Sequence, residues 1–488
     1  MYFMRKSNVL FRDYGSFGYI TDNRNFSYKN KKTNEDDIGD KILSESGTVF
    51  FSALKKQPQR LDVIAKTICK RFTGVDIVTI KNDAKSFYST LEQDGFIVSG
   101  ETHQQCKEKD TRFSYNKLGN ERIKIDFSSS NMQPEKSTQD FFEEHFKGTP
   151  QLTNLHIEIT SKCNERCVHC YIPHENKTSS IDPDLFYDIL EQCKNMRVLH
   201  LTLSGGEPML HKHFCDFLRK CKEYDFSVNV LSNLTLLNNK ILKEMQANPL
   251  LGVQVSLYSM CHNIHDEITQ LKGSFEKTKN SIIKLVKMNI PLQISCPIMK
   301  QNKSCYKDVV KWAEKLKVHA GDDFVIIARY NHTTQNLNCR LSIDEVKEVT
   351  TNKAAHDHNI FKQMKIEAEK KKNSMPNDFV CSVCNSSICI ADNGRVYPCA
   401  GWQDYIVGNV KEASLNYIWD HSEKVQYLRS LRKHDFPECI RCADKEFCTM
   451  CMVRNANESP LGAPLAVNKY FCDIAKFNKK LVLEWKET

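Results

Sequence analysis

The sequence predicts an α/β protein whose middle section curls a parallel sheet into an open partial barrel, and three observations carry that expectation. Six apolar runs of strand length recur at LHIEIT (155–160), VLHLTLS (198–204), FSVNVLS (226–232), GVQVSLY (252–258), PLQISCPIM (291–299) and DFVIIAR (323–329). Runs this short and apolar, separated by helical spacing, mark parallel strands covered on both faces. The helical spacing is plainest after the first run. Asp182 offers an N-cap, Pro183 suits the first helical position, and Leu185, Ile189 and Cys193 share one apolar face. Finally, CNERCVHC puts Cys163, Cys167 and Cys170 directly after the first strand, and functional loops of such folds gather at the C-terminal ends of strands.

Composition narrows the class. A chain of 488 residues has length for about three domains. The net charge of +9 is spread without a dense basic block, which reads as solvated surface and not as a nucleic-acid footprint. No run approaches the ~18 apolar residues of a membrane span, and MYFMRKSNVLFRDYG lacks a signal-peptide core. The expectation is a cytoplasmic protein that uses neither nucleic acid nor membrane. In such a chain the 21 cysteines read as metal ligands and reduced thiols, not as disulfides.

The first cysteine group has the spacing C-x3-C-x2-C, with Tyr171 directly behind it. Three close thiolates can bind three irons of a cubane and leave the fourth open to a small molecule. Zinc loops instead pair cysteines as C-x2-C with a fourth ligand nearby, and His174 is out of step with that spacing. The second strand ends in SGGEP, where Gly205 and Gly206 allow a close backbone approach and Glu207 can accept from an ammonium. Ser232 and Asn233 end the third strand and Ser256 the fourth; each suits a cofactor contact or simple turn capping.

CNERCVHCY and SGGEP, supported by SNL and SLYS, resemble the core of radical S-adenosylmethionine (SAM) enzymes. HDEITQLKGSFEKT (265–278) resembles the segment after the fourth strand in peptide-modifying members. The resemblance implies reductive cleavage of SAM to methionine and a 5′-deoxyadenosyl radical. It also implies that Tyr171, Gly205, Gly206, Glu207, Ser232, Asn233 and Ser256 hold SAM against a cluster on Cys163, Cys167 and Cys170. An external donor of flavodoxin or ferredoxin type would supply the electron.

Near the C-terminus, CSVCNSSICIADNGRVYPC holds Cys381, Cys384 and Cys399, with IADNG as a hairpin turn. ECIRCADKEFCTMC adds Cys439, Cys442, Cys448 and Cys451, and Cys472 follows. Zinc ribbons are the alternative for such density. The region resembles the SPASM extension of radical SAM enzymes, although Cys448 and Cys451 are spaced C-x2-C where that family usually has C-x3-C. The resemblance implies one auxiliary [4Fe–4S] cluster on Cys381, Cys384, Cys399 and Cys451, and another on Cys439, Cys442, Cys448 and Cys472. With the SAM-binding cluster that makes three. Cys389, Cys69, Cys296 and the other cysteines read as packed thiols.

At the N-terminus, VLFRDYG and GYITDN read as paired strands and NFSYK as a third. Helical patterns follow around 47–56, 61–72 and 83–94, the last stopped by Gly95. This is a winged-helix-like α+β pattern without the polar helix of a DNA reader. It resembles the RiPP recognition element, which implies that a precursor's leader peptide adds a strand to an exposed sheet edge. Four segments result: a leader-binding module (1–102), a polar tether (103–150) whose DFFEEHF suits packing, the barrel (151–345) and the cysteine-rich SPASM domain (346–488). Arg329 is placed to meet substrate or SAM, or to form an ion pair, and no catalytic base is legible. The expected function is crosslinking of a ribosomally made peptide, thioether bonds first and carbon–carbon or other side-chain links next. Side-chain oxidation of a folded protein and peptide epimerisation are enzymatic alternatives; a zinc-binding regulator is the non-enzymatic one.

Overall fold

The computed structural model describes residues 1–23, 39–110, 145–146, 149–248, 250–356, 359–372 and 375–485. The N-terminal part contains β1 (Tyr2–Arg5), β2 (Leu10–Asp13), β3 (Gly18–Thr21), β4 (Asp40–Leu43), β5 (Gln59–Arg60) and β6 (Ile97–Gly100). They form two antiparallel sheets of three strands, in the orders β2-β3-β4 and β5-β1-β6. Helices Glu45–Ser52, Leu61–Cys69 and Ile77–Gln93 pack between them around Phe3, Ile20, Phe51, Ile64 and Tyr88. The third helix starts earlier than expected because the Asp76 carboxylate caps it, accepting from the backbone of Val78 and Thr79. Gly95 ends it at φ 82°, where the backbone amide of Phe96 donates to the Leu91 carbonyl. The NFSYK strand lies outside the described residues, and Asp40–Leu43 is the third strand of the first sheet.

Of the segment expected to be a tether, His103–Lys109 is a helix with a Thr102–Gln105 capping box. Its Cys106 packs with Met4 and Val98. His145 and Phe146, from DFFEEHF, lie against Phe17 and Tyr14, with ring centroids 4.6 and 5.6 Å apart.

The barrel strands are β7 (Asn154–Thr160), β8 (His200–Gly205), β9 (Ser227–Ser232), β10 (Leu250–Ser256), β11 (Leu292–Ser295) and β12 (His319–Gly321). They are parallel neighbours in chain order. The sixth strand is therefore His319–Gly321, not 323–329. The ladder pairs Ser295 with Gly321; Cys296 and Ile298 still donate to the carbonyls of Gly321 and Asp323, and the chain then runs on through 324–329 without strand pairing. The outer edge of β7 is covered from far along the chain. There β13 (Ser387–Ile390) runs parallel to it, pairing Leu155 with Ile388 and Ile157 with Ile390. Next come β14 (Arg395–Tyr397) and β15 (Gly408–Asn409), which complete a nine-stranded sheet. One apolar core extends from Leu155, Ile157 and Phe217 of the barrel to Trp402, Trp419 and Phe436 beyond it. No helix among the described residues is long and apolar enough to cross a membrane.

The N-terminal part docks on the chain just before β8 and β9, at the end of the barrel opposite the cysteine loop. Arg12, only 7% exposed, donates from Nε to the Val198 carbonyl (2.7 Å) and from Nη2 to that of Tyr224 (2.9 Å). Its guanidinium lies over Phe226, 4.7 Å from the ring centroid. Asp225 pairs with Arg5 (2.7 Å) and Lys56 (2.5 Å), while Arg197 donates to the Tyr14 carbonyl (2.7 Å). Arg197 and Asp225 sit at φ 63° and 58°, just past helix ends where glycine is usual. Here those positions carry the side chains that grip the module.

Arg12→Ala leaves two buried carbonyls unpaired and is expected to lower stability by about 2–5 kcal/mol. Chemical denaturation would measure the loss, and limited proteolysis should show cleavage moving to the N-terminal 110 residues. An unchanged denaturation midpoint and cleavage pattern would show that the contact is dispensable.

Candidate active site at the strand ends

The cysteine loop is set by a close backbone crossing. The amide of Gly206 donates to the Thr160 carbonyl and that of Glu207 to the Lys162 carbonyl, each at 2.8 Å. A Cβ on Gly205 would lie 1.8 Å from the Thr160 oxygen, and one on Gly206 would lie 2.2 Å from the Lys162 oxygen. The two glycines thus bring the second strand end against the loop that carries the cysteines.

Glu207 is fully buried and joins three segments. Its Oε1 accepts from the Met209 amide (3.0 Å) and the Ser232 hydroxyl (2.8 Å), and its Oε2 accepts from the Asn233 amide (2.8 Å). Burial pushes its carboxyl up to about 7, against the pull of those donors. Asn233 also donates from its side chain to Asn164, inside the cysteine loop, at 3.1 Å. Farther round, the amides of Arg166 and Val168 donate to the carbonyls of Thr269 and Ile268, which places the HDEIT segment beside the loop. His169 and the Tyr258 hydroxyl are 2.9 Å apart, and Ser256 hydrogen-bonds the same tyrosine. Glu207, Ser232 and Asn233 therefore assemble directly, while Ser256 meets the loop through Tyr258 and His169.

Tyr171 turns toward the C-terminal region. Its hydroxyl donates to Glu158 Oε1 (3.3 Å), and Gln403 Nε2 donates to Glu158 Oε2 (2.5 Å). Burial raises the tyrosine, and the charges of Glu158, Cys170, Cys389 and Cys399 raise it further. Arg329 lies in a turn, not on a strand, and forms no ion pair among the described residues; its buried Nε has no hydrogen-bond partner. His169, Tyr258, Glu158 and Gln403 escaped sequence reasoning. His169, inside the cysteine motif, and Tyr258, inside SLYS, had a local signal; Glu158 and Gln403 had none.

The thiols suit cluster ligation. Burial pushes Cys163 up to about 12 and Cys167 well above its usual range, with Glu165, Cys170 and Cys163 adding to the second effect. The C-terminal thiols separate into two sets. Cys381 is raised to about 11 by burial and then by Cys451 and Cys399, and Cys384 to about 12 by burial, with Cys381 and Cys399 adding to it. Cys439 is raised to about 11 by burial and then by Cys448, Cys472 and Cys442. Buried thiols crowded like this become thiolates only against a bound cation. Among the described residues no three His, Cys, Asp or Glu side chains converge on a single ion, and ligands at the corners of a cubane need no such convergence. Cys389 is a buried core thiol outside both sets.

Comparison with known proteins agrees with this geometry. Residues 157–313 match the Radical SAM superfamily, and residues 381–443 match SPASM, an iron–sulfur cluster-binding domain. SAM and iron–sulfur clusters are accordingly the cofactors. A tungsten-containing aldehyde ferredoxin oxidoreductase cofactor-modifying protein of Pyrococcus furiosus is 27% identical, over 60% of this chain and 88% of its own. The antilisterial bacteriocin subtilosin biosynthesis protein AlbA of Bacillus subtilis is 26% identical, over 64% of this chain and 69% of its own. Among solved structures, Streptococcus suis SuiB bound to precursor peptide SuiA shares the fold over 97% of this chain and 100% of its own, with a TM-score of 0.57 and 14% identity.

Glu207→Gln should keep the bonds at Oε1 but set an amide N–H against the Asn233 N–H. We expect SAM binding to weaken about tenfold or more, the scale of one unpaired buried donor, with iron content unchanged. Equilibrium binding of SAM and the cluster's electron paramagnetic resonance (EPR) shift on SAM addition would check this. Gly206→Ala should instead cost the loop cluster itself, read as lost iron.

Proposed function

We propose that this radical SAM enzyme with its SPASM domain crosslinks a ribosomally made precursor peptide, forming thioether bonds in the first instance. One observation carries the reading: Glu158 accepts from Tyr171, the residue after Cys170, and from Gln403, which also donates to the carbonyl of Ala400, the residue after Cys399. Crosslinking removes a hydrogen atom and then one further electron. A site that makes a substrate radical beside an electron acceptor suits it. In this proposal Cys163, Cys167 and Cys170 hold the radical-generating cluster. Cys381, Cys384, Cys399 and Cys451 hold the nearer auxiliary cluster, and Cys439, Cys442, Cys448 and Cys472 the farther one. Gly205, Gly206, Glu207, Ser232 and Asn233 form the SAM cradle, with Tyr171 and Ser256 at its sides. The kinship with AlbA and the fold shared with SuiB support a peptide as substrate.

Residues 1–102 would hold the leader. In the β2-β3-β4 sheet, β4 has an outer edge with no strand paired to it among the described residues, while β2 carries Arg12 into the barrel contact. An extended leader can add to β4. The module sits at the N-terminal ends of the barrel strands and the cysteine loop at their C-terminal ends. At ~3.3 Å per residue, β8 alone separates the two by about 20 Å. A precursor therefore needs at least about six residues between its leader strand and the modified site. Shortening that spacer below this length should abolish modification while leader binding persists, measured by mass spectrometry and fluorescence anisotropy.

The deciding experiment is anaerobic coexpression with the short peptide encoded beside this gene, followed by mass spectrometry. Loss of a hydrogen pair per modified site, absent in Cys163→Ala/Cys167→Ala/Cys170→Ala, is the expected result, and blocked cysteine alkylation identifies a thioether. An unchanged mass with deuterium uptake would mean epimerisation. Neither change, with clusters intact, would favour a folded-protein substrate.

A further inference from the structure

A cavity of 320 Å³ opens between the first barrel strand and the C-terminal hairpin. Glu158 and Gln403 form part of its wall, with Ser161, Tyr330 and Asp392 around them. It lies at the C-terminal ends of β7 and β13, the same end as the cysteine loop. Glu158 is 3% exposed, and the hydrogen bonds to it come from neutral donors, the Tyr171 hydroxyl and the Gln403 amide. Gln403 also donates to the Ala400 carbonyl (3.2 Å). A continuous chain of bonds thus runs from the residue after Cys170 to the residue after Cys399, with this carboxyl at its centre.

We propose that this cavity receives the substrate group that loses a proton as the crosslink forms, and that Glu158 takes that proton. The inference rests on the crosslinking reading above. In that reaction the activated C–H bond gives its hydrogen atom to the 5′-deoxyadenosyl radical, yielding 5′-deoxyadenosine. As the partner's sulfur bonds to the carbon radical, its S–H proton passes to the Glu158 carboxylate. The surplus electron goes to an oxidised iron–sulfur cluster of the C-terminal domain.

The other acids near the site are committed elsewhere. Glu207 holds three protein donors, and neither it nor Glu165, which lies on the loop between Cys163 and Cys167, lines the cavity. Asp392 accepts from the Ser161 amide and the Ser179 hydroxyl, each at 2.8 Å. The charged and titratable groups facing Glu158 are Tyr171 from the cysteine loop, Tyr330, Asp392 from the hairpin turn, and Cys389 and Cys399 on either side of it. Glu175 and Arg395 stand farther out on the cavity wall. Burial first, then Asp392, raise Glu158 to about 7 against Gln403 and Tyr171, so near neutral pH it can hold or release a proton at little cost.

The test uses the cluster-loaded enzyme, SAM and the precursor, deuterated at the carbon that is attacked. Glu158→Gln should still transfer deuterium into 5′-deoxyadenosine, while crosslinked product per 5′-deoxyadenosine falls about 100-fold or more. Glu158→Asp should recover part of it. In the wild type that ratio should rise as pH increases through about 7, because the base form exists above that value. Independently of turnover, infrared titration should show a protonated-carboxyl band that disappears near neutrality and is missing from Glu158→Gln. An unchanged product ratio in Glu158→Gln, or a Glu158 already ionised at pH ~5, overturns the proposal. If Glu158→Gln loses iron or circular dichroism, the aspartate variant and the wild-type pH profile decide. Absence of deuterium transfer in the wild type would instead sink the crosslinking reading, and this inference with it.

Discussion

Two backbone hydrogen bonds, from Gly206 to Thr160 and from Glu207 to Lys162, fix where the cysteine loop leaves the sheet. Every other relation at the site follows from that crossing. With Glu207 held there, its carboxylate reaches Ser232 and Asn233 and pins the third strand end to the second. Asn233 then meets Asn164, so the third strand also touches the cysteine loop. The loop's far side closes on Ile268 and Thr269, and on Tyr258 through His169. One short contact, possible only without side chains at positions 205 and 206, thus gathers four strand ends around three thiols.

The sheet also decides how the two cysteine systems are related. Because β13 extends β7 in parallel, the C-terminal hairpin turns over at the same end as the cysteine loop. Asp392 in that turn accepts from Ser161, the first residue after β7. A separate domain on a linker would leave the distance between clusters free to vary; a shared sheet and core hold it. The N-terminal part has its own core and touches the opposite end of the barrel through polar contacts and a small apolar cluster in which Leu199 packs with Leu10, Tyr14 and Tyr19. The N-terminal module and the cysteine loop thereby stand at opposite ends of the barrel strands.

What the sequence revealed was local. The strand runs, the cysteine spacings and SGGEP are each read within a dozen residues, and strands and loops formed where those patterns stood. The expected sixth strand was misplaced because DFVIIAR has the apolar content of a strand, whereas the chain pairs with β11 through His319–Gly321 and leaves that neighbour just beyond Asp323. The sheet of β1, β5 and β6 joins Tyr2 to Gly100, and nothing local in FIVSG announces that partner. Glu158 and Gln403 lie 245 residues apart and meet only because the hairpin joins β7. Gly205 and Gly206 signal a close backbone approach in the sequence, but not that the Thr160 and Lys162 carbonyls stand against them. Chemistry-bearing motifs declare themselves in sequence, whereas the residues that position them depend on pairing across the whole chain.

Iron and folding are coupled unequally along the chain. In the C-terminal region, burial holds Cys381, Cys384 and Cys439 far toward the protonated form, and mutual repulsion opposes ionising any of them alone. A cluster reverses that preference by supplying the cation each thiolate needs, so its binding free energy adds directly to the stability of the segments that carry the ligands. The same segments contribute Trp402, Trp419 and Phe436 to the core shared with the barrel. With the ligands proposed above, loss of iron would loosen the barrel's first edge as well as the C-terminal region, including the seam where Gln403 meets Glu158. The N-terminal part, packed around Phe51 and Tyr88, draws none of its stability from thiols that bind metal. A molecule short of iron would keep the N-terminal fold while losing the seam between Gln403 and Glu158.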